Sequence, residues 1–137
     1  KQYLKMIFQF NNMKPPVVEV KKLDFSESHY VKDTKKWFAS TLYEEVKKEK
    51  LEPFEFPLAA FDLTIMGFST SDMESFIFQC KRVFNADTSI PIILDDSGAV
   101  ADGFHRVCKA IIEGKRTIKA YRLNRMPEED ETLDRGE

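Results

Sequence analysis

Between Ile90 and Leu123 the spacing of apolar positions changes twice, and each change marks a new element. Ile92 to Leu94 is an unbroken apolar run, Asp95 to Gly98 is a turn of hydrogen-bond acceptors closed by glycine, and Ala99 to Ala101 resumes the run. That order predicts a β-hairpin. After Gly103 the period becomes helical, because Phe104, Val107, Cys108, Ile111 and Ile112 fall at i, i+3, i+4, i+7 and i+8. With Asp102 as N-cap and Gly114 as the stop, a helix is expected over 103–113. Thr117 to Leu123 then reads as a closing strand.

The pattern upstream is less regular. Tyr3 to Phe10 is apolar and aromatic enough for a strand or an arm, Asn11 to Pro16 breaks it, and Val17 to Leu23 alternates as a strand would. A polar connection, Asp24 to Tyr30, contains His29, read as a surface residue. Asp33 and Thr34 are placed at the start of a helix running to about Lys50, with Phe38, Leu42 and Val46 at four-residue spacing and Trp37 beside them. The lysines at its end, Lys47, Lys48 and Lys50, suit the helix dipole. Pro53 and Pro57 forbid a long helix, so 51–68 reads as extended chain and a short strand, with Phe54, Phe56, Leu58 and Phe61 facing inward. Ser71 and Glu74 match a capping box, and Met73, Phe76, Ile77, Cys80 and Phe84 are expected to be the buried face of the helix behind it.

These elements predict a compact α+β domain. Its small mixed sheet would be built from 17–23, 92–94, 99–101 and 117–123, with the helices packed on it and the 103–113 helix aiming its N-terminus into the main cleft.

Composition narrows the class. In 137 residues, 42% hydrophobic with twelve phenylalanines, there is material for one globular core. The net charge of −2 is unevenly spread: 127–137 hold six acids and one arginine, whereas 1–126 carry 20 basic against 17 acidic side chains. The first 126 residues are therefore expected to form the domain, and the last eleven a disordered acidic tail. The mildly basic body permits contact with nucleotide or nucleic acid but lacks the basic stripe of a DNA binder. Cys80 and Cys108 lie on apolar stripes and suggest no disulfide framework, so a reducing cytoplasm is expected. No apolar run has the length of a membrane span, and with two histidines and no clustered cysteines a zinc site has little support.

The chemistry concentrates where the hairpin meets the helix. A helix N-terminus carries unpaired N–H groups and partial positive charge, and a glycine there lets an anion approach the backbone. Arg106 could grip phosphate through two parallel hydrogen bonds, and His105 could donate to the same group or carry a proton. The same four residues, Asp102, Gly103, His105 and Arg106, would equally suit a capped helix with a solvated first turn. Cys108, on the apolar face, reads as inert packing.

The segment PIILDDSGAVADGFHRVCKAIIEGKRTIKAYRL resembles the core of the ParB/sulfiredoxin superfamily, in which a hairpin leads into a D-G-x-H-R or related box opening a helix. The likeness covers about a quarter of the chain strongly and 56–87 more loosely. It implies phosphate-binding positions at Gly103, His105 and Arg106, and an acid, Asp102, near the phosphates, with a magnesium ion between them. Sulfiredoxins carry a reactive cysteine immediately before the His-Arg pair; Phe104 stands there, so sulfiredoxin activity is not expected. The DNA-clamp ParB proteins continue into a helix-turn-helix domain, for which no room is expected in these 137 residues.

Two function classes follow from that resemblance. One is a nucleotide-dependent phosphotransferase of kinase type, using ATP or ADP, with Asp102 and His105 in the site and Asp62 as the leading candidate for general base, ahead of Glu55. The other is a ParB-like DNA-binding protein or nuclease acting on nucleic-acid phosphates at the same residues. On either reading Arg106→Ala should abolish ligand binding and leave the fold intact, since Arg106 lies off the apolar face.

Overall fold

The computed structural model describes residues 14–20 and 28–134. Its centre is strand β4 (Ile92–Leu94), whose three side chains have no contact with water. A strand can be apolar at every position only if both sheet faces are covered, and here they are. Ile92 and Leu94 join Val100, Val107, Ala110, Ile118 and Ala120 on one face. Ile93 joins Trp37, Leu42, Val46, Ala101 and Leu123 on the other.

The sheet around β4 has four strands in the order β3–β6–β4–β5, with β3 at Phe54–Pro57, β5 at Val100–Asp102 and β6 at Thr117–Arg122. β4 pairs antiparallel with β5 and parallel with β6, and β6 pairs antiparallel with β3. The parallel pairing requires a crossover, which helix α3 (Phe104–Ile112) supplies by packing Val107 and Ala110 on the sheet. Helix α1 (Ala39–Lys48) covers the opposite face through Leu42 and Val46. A second sheet, β1 (His29–Lys32), β2 (Lys35–Phe38) and β7 (Glu131–Thr132), lies on the same side as α1, with Trp37 in the shared core. Helix α2 (Met73–Asn85) packs against α3.

The domain is α+β with a small mixed sheet, as the pattern predicts, and the hairpin, the 103–113 helix and the closing strand stand where expected. Other elements differ. The outer strand beside β6 is β3; residues 17–20 have no regular structure, 21–23 lie outside the described residues, and so does the expected strand or arm at 3–10. Within β3 and the turn after it Phe56, Leu58 and Phe61 pack inward, but Phe54 is exposed.

Asp33 and Thr34 do not start a helix. They form the turn between β1 and β2, with Asp33 at φ 58°, a conformation that Asp tolerates because its side chain is short and polar. His29 is thus a strand residue, and α1 starts only at Ala39. Its N-cap, Phe38, offers no side-chain acceptor; Asp130 instead ties the helix start to the 127–134 segment, accepting from the Phe38 N–H at 2.8 Å and the Thr41 hydroxyl at 2.9 Å.

The expectation of a disordered tail is corrected over 127–134. Trp37 Nε1 donates to the Pro127 carbonyl at 2.8 Å, and β7 pairs with β2, where Glu131 meets Lys36 across 3.3 Å. Acidic composition reads as disorder only while the basic strand that it pairs with is unknown.

Helix α2 corrects two further expectations. Its cap is Asp72 with Ser75, one residue beyond the predicted frame: the Asp72 carboxylate accepts from Ser75 N–H and the Ser75 hydroxyl from Asp72 N–H. Its buried residues are Ser75, Gln79 and Val83, whereas Met73, Phe76, Ile77 and Phe84 are exposed. The periodicity was real, but it described the outer face.

Gly103 holds the hairpin close to α3. It sits at φ +117°, and a Cβ there would lie 2.5 Å from the Ile92 side chain, inside contact distance. Gly114 also has positive φ, +73°, but open space around it. Gly103→Ala is therefore expected to cost at least about 2 kcal/mol, against about 1 kcal/mol for Gly114→Ala, where only the backbone conformation is strained. Urea denaturation of both variants checks the ranking; equal losses would refute the steric account.

Candidate functional site

The start of α3 forms one wall of a cleft of about 810 Å³, bounded by α2, β1, Tyr43 of α1 and the loop at 66–69. Asp102, Gly103, His105 and Arg106 all line it, so the structure brings the whole box together at the cleft as the sequence suggests. Their individual roles are more specific.

Asp102 ends β5 and is not the N-cap of α3. That position belongs to Gly103, which has no side chain to cap with. The first-turn N–H groups of Phe104, His105 and Arg106 lie ahead of the intrahelical ladder, and no side chain caps the helix. The first helical bond is Val107 N–H to the Gly103 carbonyl. The space beside Gly103 in which a Cβ would project is filled by Ile92 and, at 3.3 Å, the Arg106 guanidinium carbon. Glycine is thus required there by packing.

Arg106 is not a solvated residue. Its Nη2 donates to Asp102 Oδ2 at 2.6 Å, and its Nη1 to the carbonyls of Pro91 at 2.8 Å and Ile90 at 3.1 Å and to the Tyr43 hydroxyl at 3.2 Å. The Arg106 and Asp102 side chains are only 13% and 16% exposed. Tyr43 completes the cluster, its hydroxyl 3.2 Å from Asp102 Oδ2. Burial chiefly raises the Tyr43 pKa, with the Arg106 charge opposing, so the phenol stays protonated. The guanidinium therefore ties the start of α3 to the entry of β4, so its removal is expected to weaken the fold rather than spare it.

His105 faces α2. Its ring stacks on Phe68 at 4.5 Å and 13°, and its Nε2 lies 2.6 Å from Gln79 Oε1. The Gln79 amide nitrogen donates to the Ser69 carbonyl, which turns Oε1 toward the imidazole and makes Nε2 the protonated nitrogen. Burial, and then the charges of Arg82 and Arg106, lower the His105 pKa to about 4. At neutral pH His105 is thus an uncharged imidazole with Nδ1 as acceptor, and it brings no positive charge to an anion.

The candidate bases lie elsewhere. Asp62 is exposed and absent from the cleft walls; it accepts from the Thr64 hydroxyl and N–H, and these bonds lower its pKa and weaken it as a base. Glu55 is exposed on β3, accepting from the Thr117 hydroxyl at 2.7 Å. Lys47 pairs at the surface with Glu44, and burial pushes the half-buried Cys108 thiol up, away from reactivity. His29, by contrast, does line the cleft at its rim.

Among the described residues no group of three or more His, Cys, Asp or Glu side chains could hold a metal ion. Asp102 is already neutralised by Arg106, with Oδ2 committed to two donors. The carboxylate expected to meet a magnesium ion is thus already engaged within the protein.

Sequence reasoning missed Tyr43 and Gln79. Gln79 is 2% exposed in the middle of a helix, an unusual depth for an amide, but its register becomes informative only once the inward face of α2 is known. Compared with known proteins, the chain matches no family model, no curated protein and no solved structure.

Two measurements test this geometry. Arg106→Ala removes the charged partner of Asp102 and a donor to two carbonyls, so stability should fall by about 2–4 kcal/mol in urea denaturation. An unchanged midpoint would show that the cluster is not structural. The folded-state pKa of His105 lies below its unfolded value, so its neutral form predominates from high pH down to about 4. The linked loss of stability begins as pH falls below about 6.5 and is complete near 4. Long-range nitrogen–proton NMR should show the Nε2–H tautomer down to pH 5; protonation of His105 near 6.5 would refute the buried setting.

Proposed function

We propose that this domain binds the phosphate groups of a nucleotide, ATP or ADP, in the cleft at the N-terminus of α3. The observation that carries the reading is the uncapped start of that helix, opened by an αL glycine at the wall of a cleft of about 810 Å³. Free N–H groups and the positive end of the helix dipole favour an anion there. The volume suits one small ligand, and Tyr30, Tyr43 and Phe68 supply apolar walls among the polar groups. Arg82 and Arg106 bring positive charge to the lining, but Asp87 and Asp102 offset it. That balance supports a mononucleotide better than a polyanion such as DNA, which would need a continuous basic stripe.

A phosphotransferase built on this site would act by positioning. Asp102 and Arg106 would fix the start of the helix, and neutral His105 would accept a hydrogen bond from the ligand or a bound water. The acceptor hydroxyl would have to bring its base from outside the box.

Calorimetry against ATP, ADP, CTP and a short DNA duplex, with and without magnesium, tests the reading. Ser69, exposed at the cleft rim, gives a variant that should spare the fold. Ser69→Glu adds a carboxylate facing the proposed phosphates and should weaken nucleotide binding by about tenfold or more at an unchanged melting temperature. Salt-sensitive DNA binding without any nucleotide response would overturn the proposal in favour of the nucleic-acid reading.

A further inference from the structure

The outer face of α2 is largely uncovered among the described residues. Met73 is 78% exposed, Ile77 39% and Phe84 67%, with half-buried Cys80 between them. These four residues are spaced 4, 3 and 4 apart, the d–a–d–a register of a coiled-coil seam, and Phe76, 56% exposed, flanks them. The inward face of the same helix, Ser75, Gln79 and Val83, is occupied within the domain. One helix thus carries two faces with separate duties.

We infer that this seam pairs with the same seam of a second copy of the chain, the two α2 helices running antiparallel about a two-fold axis. The argument for that occupant is charge. In an antiparallel pair, Met73 shares a layer with Phe84 of the second copy, and Ile77 with Cys80 of the second copy. Glu74 and Lys81, each one residue beyond a d position, then fall between the same two layers on facing helices. Glu74 of each copy meets Lys81 of the other, twice by symmetry. Both side chains are exposed, and neither makes an ion pair or side-chain hydrogen bond among the described residues. A parallel pair would instead set Lys81 beside Phe76 and leave Glu74 unmatched. The interface closes on itself, as two-fold contacts do. With one helix of 13 residues as its centre, it is a weak dimer contact, with a dissociation constant of roughly micromolar order.

Sedimentation velocity on the full chain across the micromolar range tests this. The wild type should shift from monomer to dimer with concentration, and Ile77→Glu should be monomeric throughout. Glu74→Lys or Lys81→Glu alone should each raise the dissociation constant about tenfold, and the double reversal should restore it. The exposed charge positions keep the test independent of folding, which circular dichroism would verify. A wild type that stays monomeric, an Ile77→Glu variant that still dimerises, or a double reversal without rescue would each overturn the proposal.

Discussion

A carboxylate with no exposure to water joins the two sheets. Asp95, in the turn between β4 and β5, accepts through Oδ1 from the N–H groups of Ser97 and Ala99 and from the Ser97 hydroxyl, at 2.7–2.9 Å. Through Oδ2 it accepts from the Tyr30 hydroxyl at 2.8 Å and from Lys32 at 3.3 Å, both on β1. Burial alone would raise its pKa, but the bonds from Ser97, Tyr30 and Ala99 win and hold it at about 2. A buried charge is tolerable only when its lone pairs are filled, and here two distant segments fill them. The arrangement therefore fixes the hairpin turn and, with it, the position of β1.

The cleft depends on that placement. β1 forms one side, α3 the other, and each is held by a polar cluster rather than by apolar contact alone. At α3 the cluster is Arg106 with Asp102, Tyr43 and the carbonyls before β4, which couples the helix start to strand and α1 together. Such networks set geometry more than they add net stability, because desolvation cancels much of their attraction. Within this frame the helix N-terminus is left free of a side-chain cap, and the nearest imidazole is neutral. Backbone N–H groups and the dipole, rather than a charged histidine, would supply the attraction for an anion.

Helix α2 works on both sides. Gln79 on its inner face orients His105, while the outer face bears the apolar seam. An amphipathic pattern is ordinarily read as core inward and charge outward, and that reading inverts when polar contacts occupy the interior. The loop before α2 is tied to the same machinery, since Phe68 stacks on His105 and a Cβ at Gly67 would collide with the Phe104 ring. What braces α2 therefore braces the cleft.

From the sequence alone one can read the hairpin at 92–102, the helix closed by Gly114, the strand after it, and the gathering of Asp102, Gly103, His105 and Arg106 at one point, because local periodicity and turn chemistry specify them. The sequence also carried the apolar stripe of α2, but not its direction. Only the tertiary structure decided that Arg106 is a buried clamp, that His105 is neutral, that Asp130 holds the start of α1 from 92 residues beyond Phe38, and that the acidic tail docks on β2. It also put Asp62 and Glu55 outside the cleft lining. Each of these outcomes depends on a partner distant in the chain, and pairing across such distances is set by how the layers pack, which local residue spacing does not encode.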